Sequence, residues 1–344
     1  MSREQPPPAP QGDRSLTYAV IAVFVLITVA VAGGIGASRL ARPAPTPSPS
    51  PRPFVIPSPA PTIDTGPLVF AQTLSAGCVA GSSVYVVSDG GGIGRFTGDH
   101  WELIDATARS LVAIACVGDR AIAVGGGGRV ITIDDREQTI RSDAVQLDDF
   151  LGVAPLADGV LVVGRAGTVQ RQSAGGWGPY AAGIDDDLYA VAAFGPTSAW
   201  TAGAGGVTFR LEAAGWRPVA SGVTATLRAF AARSVDDAVV AGDDGTILFW
   251  RSGWTAIPAP KVTYRAAVRA GDVTYVAGDG GTLLRFTTTG LAAPAPVTVA
   301  LGTTCTLRGL FTRGSEVWVI GSDGGRAAVW RMGTTGIFHW GECP

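Results

Sequence analysis

The chain has 344 residues, 47% of them hydrophobic and only 16% charged, with 48 glycines and a net charge of −2. So few charges exclude a disordered chain, and so much glycine excludes a helical bundle, because an interior glycine costs a helix about 1 kcal/mol. Five of the 26 basic and two of the 28 acidic residues precede Asp64, which leaves the remainder near −5 and without the basic surface a nucleic-acid partner requires.

Residues 1–15 read as a short N-terminal tail. Between Arg14 and Arg39 lie 24 uncharged residues, which as a helix reach about 36 Å and cross a hydrocarbon core of about 30 Å. A transmembrane signal anchor over 16–38 is therefore expected. Ala30-Val31-Ala32 has the form of a signal-peptide cleavage site, but the apolar stretch is longer than an ordinary signal core. Arginines flank it on both sides, so charge does not orient it. Residues 39–63 alternate proline with small residues, a composition that favours extended polyproline II and makes a semi-rigid stalk of up to about 70 Å.

From residue 64 to 344 one phrase returns seven times: Val87-Ser-Asp-Gly-Gly, Val124-Gly-Gly-Gly-Gly, Val163-Gly-Arg-Ala-Gly, Ala202-Gly-Ala-Gly-Gly, Ala241-Gly-Asp-Asp-Gly, Ala277-Gly-Asp-Gly-Gly and Ile320-Gly-Ser-Asp-Gly. Its fifth residue is always glycine, at Gly91, Gly128, Gly167, Gly206, Gly245, Gly281 and Gly324, with spacings of 37, 39, 39, 39, 36 and 43. A period near 38 marks a repeat architecture. An apolar alternating run lies on each side of the phrase, one further run precedes them, and a Gly-Trp pair opens a fourth at Trp177, Trp216 and Trp254, with Trp101 in the matching place. Four strands per unit predict an all-β, seven-bladed propeller of antiparallel blades. The glycines are turns rather than phosphate loops, since a β-branched strand and not a helix follows each of them, and no cofactor is expected.

These repeats resemble the propellers of the photosystem II assembly and stability factor family and of related Asp-box (BNR) repeat proteins, over about residues 68 to 344. Of an Asp box, Ser-x-Asp-x-Gly-x-x-Trp, only the Gly-Trp tail is present here, as in Leu-Glu-Ala-Ala-Gly-Trp216. The resemblance implies a non-catalytic protein-binding or complex-assembly module; the alternative it leaves open is a glycan-binding or glycoside-hydrolase-like propeller.

Cys78 and Cys116 are 38 residues apart, as are Cys305 and Cys343, which puts each pair one repeat apart. Joining Cys116 to the last unit would cross blade 1, so Cys78–Cys116 and Cys305–Cys343 are the expected disulfides, the alternative being four buried thiols. Two disulfides imply a domain outside the cytoplasm, with the N-terminus inside and the propeller displayed on a single-pass anchor. Either Leu68 to Phe70 or Ile337 to Trp340 is expected to complete the last blade.

With His100 and His339 the only histidines, there is little from which to build a histidine metal site or a Ser-His-Asp triad. The acidic pairs, such as Asp148-Asp149 and Asp243-Asp244, fall at turns, where aspartate is common. No enzyme and no metal site is expected. One pattern stands out: Arg228, Arg265 and Arg308 occupy the same place at the start of the last three units, while the matching places in units 2, 3 and 4 are Val112, Gly152 and Tyr189. A second tier, Arg233, Arg269 and Arg313, has an acid three residues on in each case, which reads as local turn pairing. The first tier has no acid nearby in sequence, so it is expected to form an unpaired arc that binds an acidic segment or carboxylate of a protein partner.

Overall fold

The computed structural model describes residues 62–64, 68, 72–98, 100–106, 109–146, 148–180, 183–289 and 294–343. The expected N-terminal tail and membrane span lie outside them, as does the stalk except for Thr62 and Ile63. Among the described residues no helix is long and apolar enough to cross a membrane.

Seven sheets of consecutive antiparallel strands follow one another along the chain, in the order expected. Blade 1 comprises Leu74–Ala80, Ser83–Ser88, Gly92–Phe96 and Trp101–Ala106. Blades 2 to 6 begin at Leu111–Val117, Phe150–Leu156, Leu188–Gly195, Leu227–Ser234 and Tyr264–Ala270. Blade 7 runs from Thr306–Arg313 to Gly336–Gly341. Each first strand packs against the first strands of both neighbours, that of blade 7 against that of blade 1, so the first strands encircle an axis.

The second strands show why the chain needs a ring. Val84, Tyr85, Val86 and Val87 are successive residues pointing to opposite faces, yet each is at most 1% exposed, and Val160 to Val163 and Ala238 to Ala241 repeat the pattern. A strand that is apolar on both faces requires a blade on either side.

The ring closes without exchanging a strand, because all four antiparallel strands of blade 7 come from residues 306–341. Of the two expected closing segments, Ile337 to Trp340 belongs to its outermost strand; of Leu68 to Phe70, Leu68 packs on the core at the seam, while Val69 and Phe70 lie outside the described residues. Thr62–Asp64 adds a fifth strand parallel to the outermost one, Thr62 facing Ile337. The seam with blade 1 is filled by aromatic rings: Trp318 stacks on Trp340 at 5.7 Å and Phe96 meets both edge-on, while the Arg331 guanidinium lies 4.1 Å from the centre of the Phe338 ring. Each such side chain buried contributes on the order of 2 to 3 kcal/mol.

Both expected disulfides are present. Cys78 and Cys116 join the first strands of blades 1 and 2, with Cα atoms 5.7 Å apart. Cys305 and Cys343, 5.9 Å apart, differ from the expectation in place though not in pairing. Cys305 immediately precedes the first strand of blade 7 and Cys343 follows its last, so this bond ties the two ends of one blade rather than neighbouring blades. Closing a loop of this length restricts the unfolded chain by roughly 4 kcal/mol. A Cys343→Ser variant is expected to unfold at about 2 to 4 kcal/mol lower free energy in urea, and a loss below 0.5 kcal/mol would show that the bond adds nothing to closure.

The recurrent glycine has a steric cause. At Gly206, φ is +76° and an added Cβ would lie 2.1 Å from the Val223 carbonyl oxygen, on the connection to blade 5. Gly167 and Gly281 meet the corresponding carbonyls, those of Ile184 and Thr303, at 1.7 and 1.9 Å. Gly205 in the same turn shares the left-handed conformation, φ +63°, but faces open space. Gly205→Ala is expected to cost about 1 to 2 kcal/mol, and Gly206→Ala a further 1 to 3 kcal/mol because the next blade's connection must move. Equal costs in urea melts would overturn the contact as the reason for the repeat.

Candidate functional site at the axial mouth

In every blade the first strand carries a bulge near its start, at the second residue in blades 1 to 6 and the third in blade 7. Leu74 pairs with Ser88 and Ala76 with Val87, so Ser75 has no ladder partner, and the same irregularity leaves out Val112, Leu151 and Tyr189 in blades 2 to 4. In blades 5 to 7 the residues left out are Arg228, Arg265 and Arg308. A bulge breaks the strict alternation of faces. The preceding residue, among them Leu227, Tyr264 and Leu307, is fully buried between blades. The bulged residue is half-buried at the end of the axis where the glycine turns lie. Register thus corrects the blade 3 position from Gly152 to Leu151. The mouth is apolar on one side, basic on the other, and closed by Ser75.

A second ring follows from the same register. The residue next to each bulge on the second-strand side is Asp89, Gly126, Arg165, Ala204, Asp243, Asp279 and Ser322 in blades 1 to 7, in a turn in blades 1 to 6 and still within the strand, paired with Thr306, in blade 7. Where a blade has both arginine and aspartate, the two pair. Arg228 donates from Nε and Nη2 to both oxygens of Asp243 at 2.6 and 2.8 Å, and its guanidinium lies 5.2 Å from the centre of the Tyr189 ring. Arg265 grips Asp279 in the same way at 2.7 and 3.3 Å. The bond from Arg228 holds the Asp243 carboxyl below its ordinary pKa, and the carboxylate raises that of Arg228.

The expectation of three unpaired arginines therefore fails for two of them. Their acids are 15 and 14 residues downstream, the distance once along the hairpin, a spacing visible in the sequence as Arg followed by Gly-Asp. Arg308 differs. Ser322 stands where the acid would be and donates instead to the Leu74 carbonyl at 3.3 Å, and the Arg308 Nε is buried without a hydrogen-bond partner among the described residues. Burial first, and then the Arg265 charge, push the Arg308 guanidinium below the usual arginine pKa.

The second tier of arginines is corrected as well: none pairs with the acid three residues on, and the tier forms cross-blade braces at the opposite end of the axis, with Arg233 also 3.8 Å from Asp237 of its own blade. Arg233 of blade 5 reaches Asp272 of blade 6, Arg269 of blade 6 reaches back to Asp237, and Arg313 donates to the Ser82 carbonyl of blade 1 at 2.9 Å. The acidic turns also brace: Asp149 accepts from the Gly127 amide at 2.8 Å and Asp187 from that of Ala166 at 2.9 Å, with Arg165 bridging the two carboxylates. Among the described residues no three His, Cys, Asp or Glu side chains gather as a metal site. A cleft of about 660 Å³ opens at the rim between blades 2 and 3, but Arg120 and Asp134 within it lie 3.6 Å apart and neutralise one another.

Comparison with solved structures decides the architecture. The WD40 β-propeller domain of Doa1 superposes with a TM-score of 0.66 over 76% of this chain and 94% of that one, at 10% identity. The fold is a seven-bladed β-propeller. The structure of U3-55K matches at 0.63 over 74% and 90%, and the RRP9 WD40 repeats at 0.62 over 72% and 87%, both again 10% identical. No protein-family model and no curated protein matches the chain. At this identity the propeller likeness extends to the fold alone.

The paired arginines of the propeller mouth separate from the unpaired one by stability. Arg228→Gln leaves a half-buried carboxylate without its donor and is expected to cost about 1 to 3 kcal/mol, whereas Arg308→Gln changes stability by less than about 0.5 kcal/mol. The folded-state pKa of Asp243 is lowered, so the contribution of its pair is complete above about pH 4 and is lost as pH falls through the folded value. Urea melts from pH 5 downward are expected to show a smaller acid loss for Asp243→Asn than for the unaltered protein, and identical slopes would exclude the pair as a stabilising contact.

Proposed function

We propose that the protein is a non-catalytic protein-binding or assembly propeller that takes a segment of its partner at the axial mouth, with an acidic side chain or carboxylate of that segment on Arg308. The observation that carries the reading is the difference between the three arginines. Arg228 and Arg265 spend their Nε and Nη2 donors on Asp243 and Asp279, while Arg308 makes no hydrogen bond or ion pair among the described residues; its Nε is buried, so its terminal Nη groups are the donors an incoming carboxylate would meet. Val112, Leu151 and Tyr189 on the facing side supply apolar surface for the same segment. The repeat phrase, similar to that of the photosystem II assembly factors, supports an assembly role.

Display outside the cytoplasm on a single-pass anchor is part of the proposal. The two disulfides support it, because they persist in oxidising compartments, and so does the uncharged run of 24 residues before Arg39. Protease added to sealed cells is expected to degrade the propeller and spare the N-terminal tail.

A photoreactive amino acid at Leu151 of the full chain in its native membrane is expected to crosslink a discrete protein partner. Arg308→Glu is expected to remove the adduct at an unchanged melting temperature, and added salt to weaken it, since the contact is between charges. An adduct that survives Arg308→Glu would overturn the assignment of the mouth.

A further inference from the structure

Blades 7 and 1 divide between them what blades 5 and 6 each contain. Blade 7 has the arginine, Arg308, with Ser322 in place of the acid; blade 1 has the acid, Asp89, with Ser75 in place of the arginine. These two blades are neighbours across the seam, and Asp89 is among the charges that act on Arg308, with Asp279 and Asp323 of the same sign and Arg265 opposing them. Asp279 is taken by Arg265. The Asp89 carboxylate is exposed and has no hydrogen bond or ion pair among the described residues.

The position of Asp89 is nevertheless fixed. Its amide donates to the Thr73 carbonyl at 2.9 Å, and the neighbouring Ser88 hydroxyl donates to Gln72 Oε1 at 2.6 Å and accepts from the Gly92 amide at 2.8 Å. The mouth therefore presents an exposed carboxylate on a fixed backbone, across the seam from an arginine with no partner among the described residues, and the two do not form an ion pair with each other. A purely acidic segment reaching Arg308 would be repelled by Asp89, and one of the opposite sign by Arg308.

We infer that the segment docking at the mouth is bipolar, with an acidic group on Arg308 and a lysine or arginine on Asp89, so that the partner completes across the seam the pair that blades 5 and 6 complete internally. This rests on the assignment of the mouth as the binding site. It commits Asp89 to attraction, where an acidic segment alone would make it a source of repulsion, and the two cases predict opposite signs for its removal.

The test is selection of a phage-displayed random peptide library on the immobilised full chain, alongside Arg308→Gln and Asp89→Asn. Peptides enriched on the unaltered protein are expected to carry both an acid and a base. A peptide so selected is expected to bind Asp89→Asn about tenfold more weakly. Selection on Asp89→Asn is expected to drop the base, and selection on Arg308→Gln the acid. Tighter binding to Asp89→Asn, or acid-only peptides from both proteins, overturns the bipolar segment and leaves the mouth in place. The same peptides from Arg308→Gln as from the unaltered chain, or no enrichment on any of the three proteins, overturns the mouth assignment and the bipolar segment together.

Discussion

Everything in this molecule depends on a blade being unable to exist alone. The second strand of each is buried on both faces, so the apolar surface of one blade is covered only when the next is in place, and the series ends only by returning to its first member. Once that is required, the contacts between blades become the places where sequence is constrained most. In blades 2 to 6 the repeated glycine sits at such a contact: its turn touches the connection that carries the chain into the following blade, and no side chain fits beneath that carbonyl. Blade 7 keeps a glycine at the matching position, but Gly324 and Gly325 form a two-residue turn with both φ values positive, and an added Cβ at Gly324 meets nothing. The blade that follows blade 7 in the ring is blade 1, to which no chain connection leads from it, so the contact has no counterpart there.

The same packing explains where function is free to vary. The residue before each bulge is committed to the space between blades, and the bulge turns the next residue out of that space to the rim of the axis. Serine, valine, leucine, tyrosine and arginine all occupy that position, with no common demand on size or charge. A ring of equivalent positions relieved of packing is a natural place for a binding surface, since changes there leave the core untouched.

The period, the number of blades, the order of strands and both disulfide partners were legible in the sequence because each is expressed in spacing. So was the presence of Arg228, Arg265 and Arg308 at one level. Their pairing was not, because Asp243 and Asp279 lie across a hairpin, and a search for acids within a few residues passes over them. The second tier misled for the opposite reason: Asp272 is three residues from Arg269, yet it serves Arg233 of the preceding blade, since in a ring the neighbouring blade's turn is as close as one's own. The bulge moved the blade 3 position by one residue, from Gly152 to Leu151, and periodicity alone does not register an inserted residue.

Where the repeat departs from itself, the departures gather at the seam. Blade 1 has Ser88 where blades 2 to 7 have glycine, and it has Asp89 without an arginine; blade 7 has Ser322 where blades 5 and 6 have aspartate. The aromatic cluster and the fifth strand lie there too. Blades 1 and 7 are the two neighbours with no direct connection through the chain, so the covalent link that positions every other pair is replaced by side chains. That replacement fills the outer part of the seam with tryptophan and phenylalanine. Near the axis the seam leaves an arginine and an aspartate of the kind that blades 5 and 6 join within one hairpin, and a charged pair divided between two blades is open to a third party in a way that a pair within one hairpin is not.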